Sequence, residues 1–230
     1  MRGALAIALC LAAAPLAADD IAATDYAALL GRATGIIRFD DFPARPEPGH
    51  ALDHGIAFAG GRIGSGFLGQ TTSAAGPFDR LHGSPAAPLA LLTGPAGAGL
   101  SVAYHRGFGS MALFPVGPAG FPALEARGEG SVAILFEQET CAVGLLVHTG
   151  YADNLGAGGI ETGSVTLTAY ARDGTQLGRI RRHAGTGVSA HAVAIGGEIA
   201  RVAGVTVEND DPGGIALDDI AFGTCAQVLG

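Results

Sequence analysis

The chain has 230 residues, 13 basic and 21 acidic side chains, a formal charge of −8 and 48% hydrophobic residues. Every basic residue is an arginine, which excludes Schiff-base lysine chemistry, a P-loop lysine and lysine general bases; the acidic balance disfavours nucleic acid and anionic membrane surfaces, which would be approached against repulsion. The length suits one domain whose core forms without metals or many crosslinks.

The chain opens "MRGALAIALCLAAAPLAADD": one arginine, an apolar run too short for a comfortable span, then small residues before an acidic start. That is the layout of a cleavable secretory signal over residues 1–18, with cleavage after Ala17 or Ala18, and it removes Cys10. Residues 19–34 are expected to hold one short helix within "ATDYAALLGRATG", N-capped by Thr24 and ended by Gly31 or Gly35. Residues 35–230 are expected to be a β-sandwich domain. Short strands are expected at 36–40, 55–59, 88–93, 100–105, 110–114, 131–136, 142–148, 164–171, 176–182, 190–195, 200–207 and 215–222. Glycine and proline punctuate them, with no helical periodicity between, as in a sandwich or barrel. The clearest hairpin is "SVTLTAYARDGTQLGRI", alternating through Val165, Leu167 and Ala169 and turning at Asp173-Gly174. "SVAILF" and "AVGLLV" are apolar on both faces, as central strands are. The stretch 69–98, rich in Ala, Gly and Pro, reads as a long surface loop.

Two cysteines remain after processing, Cys141 and Cys225, and in an exported chain they are expected to pair; two buried thiols are the alternative. Such a bridge contributes about 4 to 5 kcal/mol in the chain-entropy model. Two strands near the chain ends carry paired acids, Asp40/Asp41 in "GIIRFDDFP" and Asp218/Asp219 in "GGIALDDIAFG". Simple alternation places Ile215, Leu217, Asp219 and Ala221 on one face, and Ala216, Asp218, Ile220 and Phe222 on the other. A carboxylate therefore meets the core and needs backbone N–H donors, an arginine such as Arg38, or a hard cation.

"IRFDDFP" (37–43), "GSVAILFEQETCAVGLLV" (130–147) and "ALDDIAFG" (216–223) resemble strands of secreted bacterial β-sandwich modules often found beside PEP-CTERM sorting tails. The resemblance covers most of 35–223, weakly over 60–125, and the sequence ends in "CAQVLG" rather than a sorting tail. It implies an all-β, two-sheet antiparallel jelly roll like those of carbohydrate-binding modules, with first and last strands side by side. Asp40, Asp41, Asp218 and Asp219 would then converge, either as a structural Ca²⁺ clamp or as acceptors for nearby backbone amides.

Other motifs are weaker. "GSGFLG" (64–69) matches G-x-G-x-x-G without a βαβ context and reads as a turn. His50 and His54 of "HALDH" read as a solvated loop, with transition-metal binding beside Asp53 as the alternative. Glu137 and Glu139 read as a solvated turn. The positional candidates for a ligand site are His148, at the end of a central strand, with Tyr151, Asp153 and Asn154 in the loop after it, and Tyr104 and His105 at another strand end. The expected function is a secreted, non-catalytic binding or structural module that recognises glycans. A polysaccharide hydrolase with a loop-end site is the alternative, and a structural protein with associating edges is a third reading. The absence of tryptophan and the count of four tyrosines weigh against sugar stacking.

Overall fold

The computed structural model describes residues 21–92, 97–149, 162–196, 199, 201–223 and 225. In chain order the elements are β1 (Ile21–Ala23), α1 (Tyr26–Leu30), β2 (Ala33–Ile37), β3 (His50–Leu52), β4 (Ile56–Phe58), β5 (Gly61–Gly64), β6 (Gly66–Phe67), β7 (Thr71–Ala75), β8 (Phe78–His82) and β9 (Leu91–Leu92). There follow β10 (Leu100–His105), β11 (Ser110–Pro115), a 3-10 turn (Leu124–Ala126), β12 (Val132–Thr140), β13 (Ala142–Thr149), β14 (Ser164–Tyr170), β15 (Gln176–His183), β16 (Gly187–Ile195), β17 (Val202–Asn209) and β18 (Ala216–Gly223).

Two antiparallel sheets face each other. Sheet A runs β1-β16-β13-β18-β11-β10-β3, with β2 also paired to β18, and sheet B runs β15-β14-β17-β12-β5-β4. The main core lies between them: Val143, Leu145 and Val147 of β13 in sheet A meet a common cluster with Val132, Ile134 and Phe136 of β12 and Val205 and Val207 of β17 in sheet B. Each such side chain contributes about 1.5 to 3 kcal/mol on burial. β2, the first strand after the helix, lies beside the last strand, β18, as expected, with Ile37 opposite Ile220 and Gly35 opposite Phe222. Cys141 and Cys225 form a disulfide with Cα atoms 4.9 Å apart, joining the start of β13 to the residues after β18.

The helix is shorter than expected. Asp25, not Thr24, caps it by accepting the Ala28 N–H at 2.7 Å, and Gly31 ends it, so residue 33 already belongs to a strand. Leu29 and Tyr26 seat the helix on the outer face of sheet A over Ala142, Ala192 and Ala221. This close approach requires Gly144, where a Cβ would lie 2.8 Å from the Tyr26 ring.

The aspartates of β18 break the expected alternation. Leu146 pairs with Asp218 and Gly144 with Ala221, so Asp219 and Ile220 together oppose Leu145. Asp219 takes φ +45°, a left-handed conformation that Asp tolerates better than most residues, and forms a β-bulge. The extra residue resets the phase. Leu217 and Ile220 both enter the core, while Asp218 stays on the outer face. At the other end, Asp40 and Asp41 lie in a turn after β2 rather than in the strand.

The expected loop at 69–98 instead begins with a hairpin, β7–β8, and its β9, paired with β6, falls within the strand expected at 88–93. It lies over the outer face of sheet B, where Phe67 and Leu89 cover Ala133, Tyr170 and Ala203. All five residues of β7 are exposed, so the hairpin lacks the apolar alternation that marks a strand in a sequence. Among the described residues no helix is long and apolar enough to cross a membrane.

Candidate functional site

The outer face of sheet A carries a chain of titratable groups. β10 sends Val102 inward, so His105 points outward, and β13 sends Val147 inward, so His148 points outward as well. The two rings meet, with His105 Nε2 2.5 Å from His148 Nδ1. His105 Nδ1 lies 2.8 Å from Glu47 Oε1, and the other Glu47 oxygen takes the Arg127 guanidinium. His105 Nδ1–H donates to the Glu47 carboxylate, and one of the two facing nitrogens, His105 Nε2 or His148 Nδ1, donates to the other.

Burial, with His105 beside it, holds the His148 pKa down to about 4, so the ring is neutral near pH 7. Burial alone would raise Glu47, but the His105 hydrogen bond and the Arg127 charge outweigh it and hold the carboxyl below its ordinary range. Phe108 and Phe114 stand edge-on to His105. The turn above His148 passes so close that a Cβ at Gly107 would sit 2.0 Å from its Nδ1. The cluster is largely buried, and the bonds given above run between its own members.

The four candidate metal ligands separate into individual contacts. Asp218 accepts Ser110 Oγ–H at 2.6 Å and the Asp219 N–H at 2.8 Å; burial, chiefly, raises its pKa. Asp219 pairs with Arg38 at 2.7 Å, and Asp40 accepts the Met111 N–H at 3.2 Å. Asp41 is exposed and borders an apolar opening between β2 and β4. The compensation seen is thus backbone donors, a hydroxyl and an arginine. No group of three or more His, Cys, Asp or Glu side chains placed to hold a metal occurs among the described residues.

A third polar region lies on the outer face of sheet B, a groove of about 280 Å³ between the sheet and β8. Its floor follows from strand alternation. β14 buries Val165 and Leu167 in the core and turns Ser164 and Thr166 outward; Arg181 of β15 and Glu208 of β17 flank Thr166 in register. Arg179 pairs with Glu208 at 3.1 Å and Arg181 with Asp210 at 2.5 Å. Arg80, on the hairpin wall, lies over the Phe78 ring and donates to the Asp79 and Asn209 carbonyls.

Of the positional candidates, the structure brings His105 and His148 together. Tyr104 points to the opposite side of β10 from His105 and is exposed. Tyr151, Asp153 and Asn154 lie outside the described residues, as does the 1–18 segment. His50 belongs to β3 rather than a loop, its Nε2 2.9 Å from the Pro43 carbonyl oxygen, and Glu137 and Glu139 extend strand β12. Sequence reasoning missed Glu47 and Arg127, which reach His105 only through the fold. It also missed the groove, although its floor residues stand on the polar face of the hairpin at 164–182. No family model, no curated protein and no solved structure matches this chain.

Proposed function

We propose that the chain is a secreted, non-catalytic binding module of the cell envelope or extracellular space, with a saccharide as its ligand. The observation that carries this reading is the groove on sheet B, where hydrogen-bonding side chains oriented by ion pairs line an open concavity on a rigid sheet face. The signal-like N-terminus and the Cys141–Cys225 bridge support export to an oxidising compartment.

A glycoside hydrolase needs two carboxyl groups free to act across a cleft. In the groove both carboxylates are engaged at each oxygen: Glu208 by the Leu81 N–H and Arg179, Asp210 by the Ser164 N–H and Arg181. Glu129, pushed up to about 8 chiefly by burial, has the proton affinity of a general acid, but it is buried and does not line the groove. The test is to incubate the oxidised protein with a panel of polysaccharides and envelope preparations, measuring both retention and release of reducing ends. Retention without release is expected. Release of reducing ends at a rate above the background would establish the hydrolase instead.

A further inference from the structure

The ligand chemistry of the groove follows from its donors and acceptors. Its two carboxylates serve as scaffold: Glu208 accepts the Leu81 N–H at 3.0 Å and Arg179 Nη2 at 3.1 Å, while Asp210 accepts the Ser164 N–H at 2.6 Å and Arg181 Nη2 at 2.5 Å. Glu208 is buried, so little of it faces a ligand. The arginines are the reverse case. Arg179 and Arg181 each spend one nitrogen on a carboxylate, and their side chains remain 55% and 62% exposed. Arg80 has two backbone carbonyls on one nitrogen. A guanidinium carries five N–H donors in a planar fork matched to a carboxylate or sulfate. Three forks and the hydroxyls of Ser164 and Thr166 thus converge on one small concavity.

Stacking, the usual means of holding a neutral pyranose, has no platform here. The chain contains no tryptophan, none of the groove-lining residues is aromatic, and Arg80 covers the nearby Phe78 ring at 5.2 Å. A ligand must therefore offer acceptors and negative charge. We propose that the groove binds an acidic saccharide, one bearing carboxylate or sulfate groups, with Arg80, Arg179 and Arg181 as its anchors. This rests on the binding-module reading and specifies its ligand class. The net charge of −8 opposes the approach of a polyanion, so the attraction must come locally from these arginines.

The experiment is affinity electrophoresis and calorimetry with polygalacturonate and alginate as carboxylate probes, a sulfated galactan as the sulfate probe, and a neutral β-glucan. The wild type is expected to be retarded by at least one acidic polymer and not by the glucan, with retardation lost at about 0.5 M salt as the charges are screened. Arg181→Glu is expected to weaken acidic binding by at least about tenfold with an unchanged melting midpoint; Arg181→Gln replaces it should the reversed charge unfold the chain. The uronate and sulfate arms identify the source of the anion. Acidic binding that survives both Arg181 substitutions overturns the site. Retention of neutral glucan alone overturns the ligand class and leaves the binding module standing, whereas no retention on any polymer or envelope preparation overturns both.

Discussion

On the outer face of sheet A, His105, Arg127 and Glu47 are 5%, 16% and 19% exposed, and they bond one another beneath aromatic rings and a tight turn. On the outer face of sheet B, Arg179 and Arg181 retain more than half of their surface while held at one point each by an acid. The residue types are similar and the consequences differ. Charges taken largely out of water must be satisfied by neighbours, which makes them mutually dependent. Charges left at a wet rim add little to stability and keep donors to offer. The charges of the first face are largely buried, and the arginines of the second are largely exposed.

The largest expected effect separates the faces directly. Glu47→Ala removes the anion shared by Arg127 and His105 and should cost about 3 kcal/mol in urea denaturation; a loss below about 0.5 kcal/mol, the range of ordinary surface substitutions, would show that the network is peripheral.

The next contrast tests the bulge on the sheet A side. Asp219→Ala keeps a strained left-handed residue and loses the Arg38 pair, and should cost about 1 to 2 kcal/mol. Asp219→Gly relieves the strain and should stay within about 0.5 kcal/mol of wild type. Equal losses would mean that the carboxylate, not the backbone, is what the bulge needs.

Opposite pH responses sharpen the comparison further. His148 and His191 of sheet A are held down to about 4 by burial, from an ordinary 6.5. The unfolded chain takes up protons that the fold refuses, so their contribution to stability is lost as pH falls from 6.5 towards 4. Glu129 is raised by burial, with Asp211 beside it, from 4.5 to about 8. The fold keeps a proton that the unfolded chain releases, so its contribution is lost as pH rises from 4.5 towards 8. Between pH 6.5 and 8 only the second effect acts. Urea midpoints should decline across that window in the wild type and stay flat in Glu129→Gln; a parallel decline in both would assign the loss to another group.

The two smallest effects concern stability alone. Arg181→Gln should change stability by less than about 0.5 kcal/mol, since it removes an exposed ion pair. A loss above about 2 kcal/mol would place the groove with the structural networks. Chelation with EDTA should move the melting midpoint by less than about 1 °C, because Asp40, Asp218 and Asp219 already have donors. A drop of several degrees would place a cation between the end strands.

Much of the architecture was legible in the chain. The alternation in 164–170 and the two-faced apolar runs at 132–136 and 142–147 locate strands β14, β12 and β13 because burial on one face or both leaves a period in the sequence. The adjacency of the end strands and the pairing of Cys141 with Cys225 agree with expectation. What was not legible was everything set by neighbours distant along the chain. β7 has no buried face, so nothing in its composition separates a strand from a loop. A one-residue bulge at Asp219 inverts every later face assignment in β18, and its position depends on the register against Leu145. Glu47 and Arg127 sit 80 residues apart, and neither carries a local mark of the contact it makes. Local sequence determined strand periods and the supply of arginines and carboxylates. Tertiary structure alone decided which of those charges were sealed and which were left open, because desolvation depends on what packs above a side chain and not on its neighbours in sequence.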